Sequence, residues 1–185
     1  GTHVAGTVAA IGGNGIGVVG VMPGGHVNLF ISKVFDASGS TSSSTVAKAM
    51  WGCYKRGGAN VISMSLGGSG ASRLQGLVAR LLDARGVMMF AAAGNGGSSA
   101  VSYPAGFPEV ISVAAVDANK ARAGFSQFNS DVEIAAPGVG VISTVPVGTG
   151  ESSSLDVGGT AFAVNSGAGS AYGSVSAPQI GRAHV

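Results

Sequence analysis

Two near-continuous apolar segments constrain the fold of this chain more than any other feature. "VMMFAAAG" (residues 87–94) and "EVISVAAVD" (109–117) are short runs with few polar side chains. Such runs are typical of strands buried on both faces, as in a parallel sheet that helices cover. "NVISMSL" (60–66) and "HVNLFISKVF" (26–35) are also predicted to be strands.

Helical segments alternate with these strands. Residues 3–11 predict a short helix, and residues 44–57 predict an amphipathic helix with Ser44 as its N-cap and Gly57–Gly58 as its end. Residues 72–86 predict a further helix with one apolar face. This alternation indicates an α/β fold with a largely parallel sheet flanked by helices.

Composition excludes several classes of protein. The 185 residues suffice for one domain with a sizeable core, and the 33 glycines indicate many tight turns. The net charge is +2 and no segment concentrates Lys and Arg, so no nucleic-acid partner is expected. No run of about 18 apolar residues could span a membrane, so no membrane partner is expected. The single cysteine, Cys53, is interpreted as a buried apolar residue on a helix.

A glycine-rich segment offers a nucleotide-binding alternative. "GIGVVG" (15–20) matches the G-x-G-x-x-G pattern, and Asp36 lies downstream where a ribose ligand could stand. The pattern is specific only where it follows a strand and opens a helix. Here it follows a helical segment and Pro23 comes soon after, so a surface turn is the favoured interpretation.

Five ordered motifs carry a family resemblance. They are "GTHVAGTVAA" (1–10), "NVISMSLGG" (60–68), "AAAGN" (91–95), "YPA" (103–105) and "IAAPG" (134–138). From Gly1 to about Pro146 the chain resembles the catalytic domain of the subtilisin-like serine proteases, the subtilases. The resemblance implies their three-layer α/β fold and hydrolysis of peptide bonds by a Ser-His-Asp mechanism.

The resemblance implies catalytic roles for two residues. His3 matches the catalytic histidine, a residue type suited to general-base work near neutral pH. Asn95, predicted at the end of a buried strand, matches the asparagine that donates to the oxyanion of the tetrahedral intermediate. Outside the family context, His3 reads as a structural histidine and Asn95 as a turn residue.

The same resemblance implies a peptide-binding cleft. Two segments would pair with an extended substrate and wall its first specificity pocket: Ser65, Leu66 and Gly67, and then Ala92, Ala93 and Gly94. No acidic residue lies in either segment, which predicts a neutral pocket that prefers apolar side chains. Peptides or proteins are the expected substrates, the location is expected to be secreted or extracellular, and a monomer is expected.

Calcium is the one cofactor that the resemblance suggests, as a structural ion, and no organic cofactor is expected. The loop "IGGNGIGVVG" resembles the family's calcium loop, with Asn14 supplying a side-chain oxygen and Ile16 and Val18 supplying carbonyls. Calcium takes about 6–8 oxygen ligands, so these are too few alone. A glycine turn without metal is an equal alternative.

The catalytic aspartate and serine have no clear match in this sequence. None of the candidate aspartates lies in a matching motif; they are Asp36, Asp83, Asp117, Asp131 and Asp156. In "GGTAFAVN" (158–165), Ala161 stands where a Gly-Thr-Ser nucleophile would be expected. One interpretation is a lost nucleophile, but the glycine-rich continuation is a poor helix former, whereas that serine opens a long helix in the family.

The favoured interpretation places both missing residues outside the chain. Residues 1–146 are then a partial catalytic domain, truncated at both ends, and residues 147–179 begin an inserted β-rich protease-associated domain. A hairpin is predicted around Gly158–Gly159. Residues 180–185, "IGRAHV", resemble a translated sequencing adapter. The chain is predicted to be an inactive fragment of a serine endopeptidase; the alternative is a non-catalytic peptide-binding module of subtilase type.

Overall fold

The structure is a computed structural model that describes residues 1–36 and 38–145, together with the backbone of two short strands at 154–157 and 160–163. The chain divides into two compact units. Among the described residues, the first contains Gly1–Leu29 and those from Gly140 onward, and the second contains Phe30–Val139. Each unit is described separately.

Three helices and six strands form the described elements. The helices are α1 (Thr2–Ala9), α2 (Ser43–Lys55) and α3 (Arg73–Asp83). The strands are β1 (Val61–Met64), β2 (Met88–Ala92), β3 (Ile111–Val116), β4 (Val132–Pro137), β5 (Ser154–Val157) and β6 (Thr160–Ala163). From α2 to β3, the helices and strands follow the order that the sequence predicts.

The second unit contains a four-stranded sheet in the order β1-β2-β3-β4, with every neighbouring pair parallel. Helices α2 and α3 pack together, and α3 also contacts β2. Met50 of α2, Leu82 of α3 and Met89 of β2 are almost fully buried in their common core. The predicted α/β fold with a parallel sheet flanked by helices is therefore confirmed.

Helix α2 is capped by a different serine from the one that the sequence predicts. Ser42 has extended backbone angles, and its hydroxyl accepts a hydrogen bond from the Thr45 N–H at 3.2 Å. Ser44 already lies inside the first turn, so the prediction of Ser44 as N-cap is wrong. The predicted end is confirmed: Gly58 has a φ of +62°, which only glycine adopts readily.

The predicted strand at 26–35 is absent; the structure has no helix or strand between α1 and α2 in its described residues. Phe30 and Ile31 there are 39% and 64% exposed. A strand needs a neighbouring backbone to pair with, and the described part of the chain supplies none to this segment. Its apolar, β-branched composition was therefore insufficient to make it a strand.

The first unit contains α1 and the hairpin formed by β5 and β6. These two strands are antiparallel, with Val157 opposite Thr160, as the sequence predicts for a two-residue turn. Ala161 thus lies in a strand and not at the start of a helix. The inserted domain predicted for 147–179 stays a prediction, because most of that range, like 180–185, lies outside the described residues.

Candidate active site

His3 lies in the first turn of α1, in the first unit. Its ring Nε2 is 3.2 Å from the carbonyl oxygen of Val141, and the residue is half-buried. The Ser143 hydroxyl donates to the His3 carbonyl at 2.6 Å, and the Thr7 hydroxyl donates to the same carbonyl at 3.1 Å. Backbone and ring of His3 are thus both held by neighbouring groups.

Small residues let the 141–144 segment approach α1 closely. The Thr144 hydroxyl donates to the Thr2 carbonyl at 2.8 Å. A Cβ at Gly6 would lie 2.7 Å from Ser143 Oγ, too close for a real contact. Gly6 is therefore required here by space.

The glycine-rich loop caps the end of α1. The N–H groups of Gly20, Val21 and Met22 donate to the carbonyls of Ala10, Thr7 and Val8 at 2.8–2.9 Å. The segment therefore closes a helix and opens none, which is the reverse of a dinucleotide site. The surface-turn interpretation of 15–20 is consistent with this geometry.

Asp36, the candidate ribose ligand, forms hydrogen bonds within its own loop. Its carboxylate accepts from the Ser38 hydroxyl at 2.6 Å and from the Ser38 and Ser40 N–H groups at 2.9 and 3.1 Å. These bonds, the Ser38 hydroxyl most of all, hold the pKa of Asp36 below its ordinary value. The carboxylate thus has a structural role that needs no nucleotide.

The suggested calcium ligands lie in a loop of left-handed glycines. Asn14 is exposed, and its Oδ1 accepts the Ile16 N–H at 3.0 Å, which is an Asx turn. Even with the carbonyls of Ile16 and Val18, this loop offers three oxygens, fewer than the about 6–8 that calcium takes. The residues present therefore fit a turn fully and a calcium site only in part.

The predicted peptide-pairing segment directly follows β1. Ser65, Leu66 and Gly67 are half-buried, and the chain then pairs with another loop: Gly68 and Tyr103 exchange backbone hydrogen bonds of 2.9 and 2.8 Å. This bridge fixes the end of the segment.

The predicted pocket wall and Asn95 directly follow β2. Ala92 is half-buried, Ala93 and Gly94 are buried, and Gly94 has a φ of +113° that turns the chain out of the sheet. The Ala93 N–H still donates to the Val113 carbonyl of β3 at 2.9 Å. Asn95, half-buried, is therefore presented by a rigid strand end.

The two segments come together because β1 and β2 are adjacent and parallel. Carboxyl ends of parallel strands lie at one edge of a sheet, and ligands of open α/β sheets bind at that edge. Residues 65–67 and 92–95 thus share an edge, as the sequence predicts for a cleft. His3 belongs to the first unit and these segments to the second.

A third segment supports this edge and was missed in the sequence. Residues 125–129 lie behind the loop that follows β2: the Gly97 N–H donates to the Phe125 carbonyl at 2.7 Å, and the Phe128 N–H to the Ser98 carbonyl at 3.0 Å. Gln127, buried between them, donates from its side chain to the Ala100 carbonyl. Its one sequence signal is the polar pair Ser126–Gln127 between two phenylalanines.

Other classes of site find little support in the part of the chain that the structure describes. No group of three or more His, Cys, Asp or Glu side chains there could hold a metal ion. None of the described helices is long and apolar enough to cross a membrane. Cys53 is half-buried, and burial raises the pKa of its thiol.

Comparisons with known proteins identify the family of this chain. Residues 1–184 match the profile of the Subtilase family. The chain is 48% identical to subtilisin DY of Bacillus licheniformis over 155 residues and 43% identical to the alkaline protease of Alkalihalobacillus alcalophilus over 150 residues; each match covers 80% of this chain. The chain spans 54% of the first relative and 38% of the second.

A solved structure extends the likeness to the fold. The psychrophilic subtilisin-like protease Apa1 of the Antarctic psychrotroph Pseudoalteromonas sp. AS-11 superposes with a TM-score of 0.79 at 48% identity. The match covers 86% of this chain and 36% of that one. Its motifs, its parallel sheet and these matches together show that the chain belongs to the Subtilase family.

Proposed function

We propose that this chain is part of a secreted serine endopeptidase of subtilisin type. The observation that carries the proposal is the edge of the sheet where residues 65–67 and 92–95 meet. A half-buried asparagine follows a left-handed glycine there, beside a segment suited to backbone pairing with a peptide. This arrangement suits acyl transfer, which needs donors aimed at a developing oxyanion.

In the proposed mechanism, His3 is the general base. Its imidazole takes the proton of the attacking serine and returns it to the leaving amine. Asn95 donates from its side-chain amide to the oxyanion, and the peptide backbone pairs with residues 65–67. The serine nucleophile and the aspartate that orients His3 are proposed to lie outside these 185 residues.

The proposed specificity is for apolar side chains. Ala92, Ala93 and Gly94 carry no charge and little bulk, so a large uncharged side chain fits beside them with no cost of burying an unpaired ion. Peptide-library profiling of the full-length protein should show cleavage after apolar residues. A strong preference for Lys or Arg before the cleaved bond would contradict this assignment.

We further propose a structural calcium at the Asn14 loop, completed by ligands from outside it, and a monomeric enzyme. A ligand that binds only the folded state raises the free energy of unfolding by RT ln(1 + [L]/Kd). Chelation should therefore lower the Tm of the full-length protein, and Asn14→Ala should abolish that response. An unchanged Tm on chelation would exclude the site.

A fluorophosphonate probe, which labels activated serines, tests the main proposal against a non-catalytic peptide-binding module that uses residues 65–67. The full-length enzyme should be labelled and should hydrolyse casein, and His3→Ala should abolish both. Peptide binding without labelling or hydrolysis would favour the binding module.

A further inference from the structure

Gln127 contacts the loop after β2 at both of its ends. Its main-chain N–H donates to the Gly94 carbonyl at 3.0 Å, and its side-chain Nε2 donates to the Ala100 carbonyl. The residue is 7% exposed, so water cannot readily replace either bond.

The Gln127 side chain also fills the space beside Gly94. A Cβ on Gly94 would lie 2.6 Å from Cδ of Gln127, which is closer than real carbon atoms approach. The amide group therefore rests against the bare Cα of the residue that precedes Asn95. This contact lies at the point where the chain turns out of β2.

Neighbouring bonds hold the middle of the loop and its Ala100 end, whereas Gln127 bonds both the Ala100 end and the Gly94 end. Gly97 and Ser98 bond to the backbone of Phe125 and Phe128. Asn129, which is half-buried, donates from Nδ2 to the same Ala100 carbonyl at 3.0 Å, and none of the described hydrogen bonds joins it to Gly94. Asn129 thus shares one acceptor with Gln127 and offers a matched control.

We propose that Gln127 is a positioning residue that sets the Gly94–Asn95 corner, and through it the direction of the Asn95 amide. The inference rests on the proposed function, since it is Asn95 that would meet the oxyanion. A misplacement of about 1 Å in such a group can cost about 100-fold in rate. Ground-state binding at residues 65–67 should be unaffected, because none of the described hydrogen bonds joins Gln127 to that segment.

The test compares Gln127→Met with Asn129→Leu in the full-length protein, well below the Tm of each. Gln127→Met keeps the side-chain length but removes the amide, and kcat should fall by about 10- to 100-fold with KM within about twofold. Asn129→Leu should leave both constants within about twofold, because the two bonds that it removes, to the Ala100 carbonyl and from the Asp131 N–H, do not involve Gly94 or Asn95. Gln127→Glu, which keeps the shape but replaces the Nε2 donor with oxygen, should act like Gln127→Met.

A peptide boronate, which mimics the tetrahedral intermediate, separates positioning from loss of fold. Its Ki should rise in parallel with the fall in kcat/KM, and hydrogen exchange of residues 93–101 should increase. If the wild type is active and both Gln127 variants keep its kcat and its boronate affinity, the inference is overturned and the proposed function is not. A wild type with no peptidase activity would overturn the proposed function, and this inference with it.

Discussion

At the scale of single residues, close approach decides which glycines matter. Gly6 of α1 faces Ser143 and Thr144, whose hydroxyls bond the helix backbone. Gly52 of α2 faces the guanidinium of Arg56, the far end of a flexible side chain. Because both glycines lie within helices, substituting each by alanine distinguishes the effect of the available space from the effect of helix propensity.

Gly6→Ala should destabilise the full-length protein by about 1–2 kcal/mol, because overpacking outweighs the gain in helix propensity. Gly52→Ala should instead stabilise it by about 0.5–1 kcal/mol, since Arg56 can move aside. Denaturant unfolding of the two variants measures both changes. Equal changes in the free energy of unfolding would show that the hydroxyls beside Gly6 move aside as easily as the Arg56 side chain.

Cys53 should react slowly with alkylating agents. Burial raises the pKa of its thiol, and Arg56 lowers it by less, so the reactive thiolate is scarce at neutral pH. The rate of iodoacetamide labelling, followed by mass spectrometry of the Cys53 peptide, should rise only at a higher pH than for a free cysteine peptide. A native protein labelled as fast as the denatured control would contradict the burial.

At the scale of elements, caps determine where the helices begin. Ser42 and Ser72 precede α2 and α3, and each hydroxyl accepts an N–H three residues along, at 3.2 and 3.4 Å. Residues 40–44 contain four serines and Thr41, and composition alone does not show which of them caps α2. The extended backbone of Ser42 selects it as the cap.

Ser42→Ala should therefore cost about 1 kcal/mol of stability, whereas Ser44→Ala should cost less than about 0.5 kcal/mol. The midpoint of chemical unfolding measures both. The reverse order of effects would restore Ser44 as the N-cap. Ser42→Asp offers a positive control, because Asp caps helices as well as Ser does.

At the scale of the whole molecule, the proposed reaction needs more than this chain holds. In the proposal, His3 and Asn95 supply a base and an oxyanion donor, but the sequence offers no matching nucleophile or orienting aspartate. Triad residues act as a unit, and loss of one leaves only the residual catalysis of binding and oxyanion stabilisation. On the proposed mechanism, these 185 residues therefore lack two members of the triad that the reaction needs.

Residues 1–179 alone should show no hydrolysis of casein and no fluorophosphonate labelling. The control is the full-length protein, assayed at the same concentration. Labelling of the short chain at any serine, abolished by His3→Ala, would contradict this expectation and place a nucleophile inside the 185 residues.

Local patterns were enough to predict most elements of the fold and the order of the site segments. The two apolar runs correctly predicted β2 and β3, and the one-sided apolar spacing correctly predicted α3. These predictions succeed because each pattern lies within a few neighbouring residues. The motif after β2 likewise placed Asn95 at a strand end. Adjacent parallel strands then bring residues 65–67 and 92–95 to one edge.

Contacts between distant segments could not be read from such patterns. Residues 26–35 are apolar enough for a strand, yet strand formation depends on a partner backbone elsewhere in the chain. Gln127 lies 33 positions beyond Gly94 and supports it only because β3 and the following turn return the chain behind that corner. Pairing and support of this kind depend on three-dimensional proximity, which local composition does not encode.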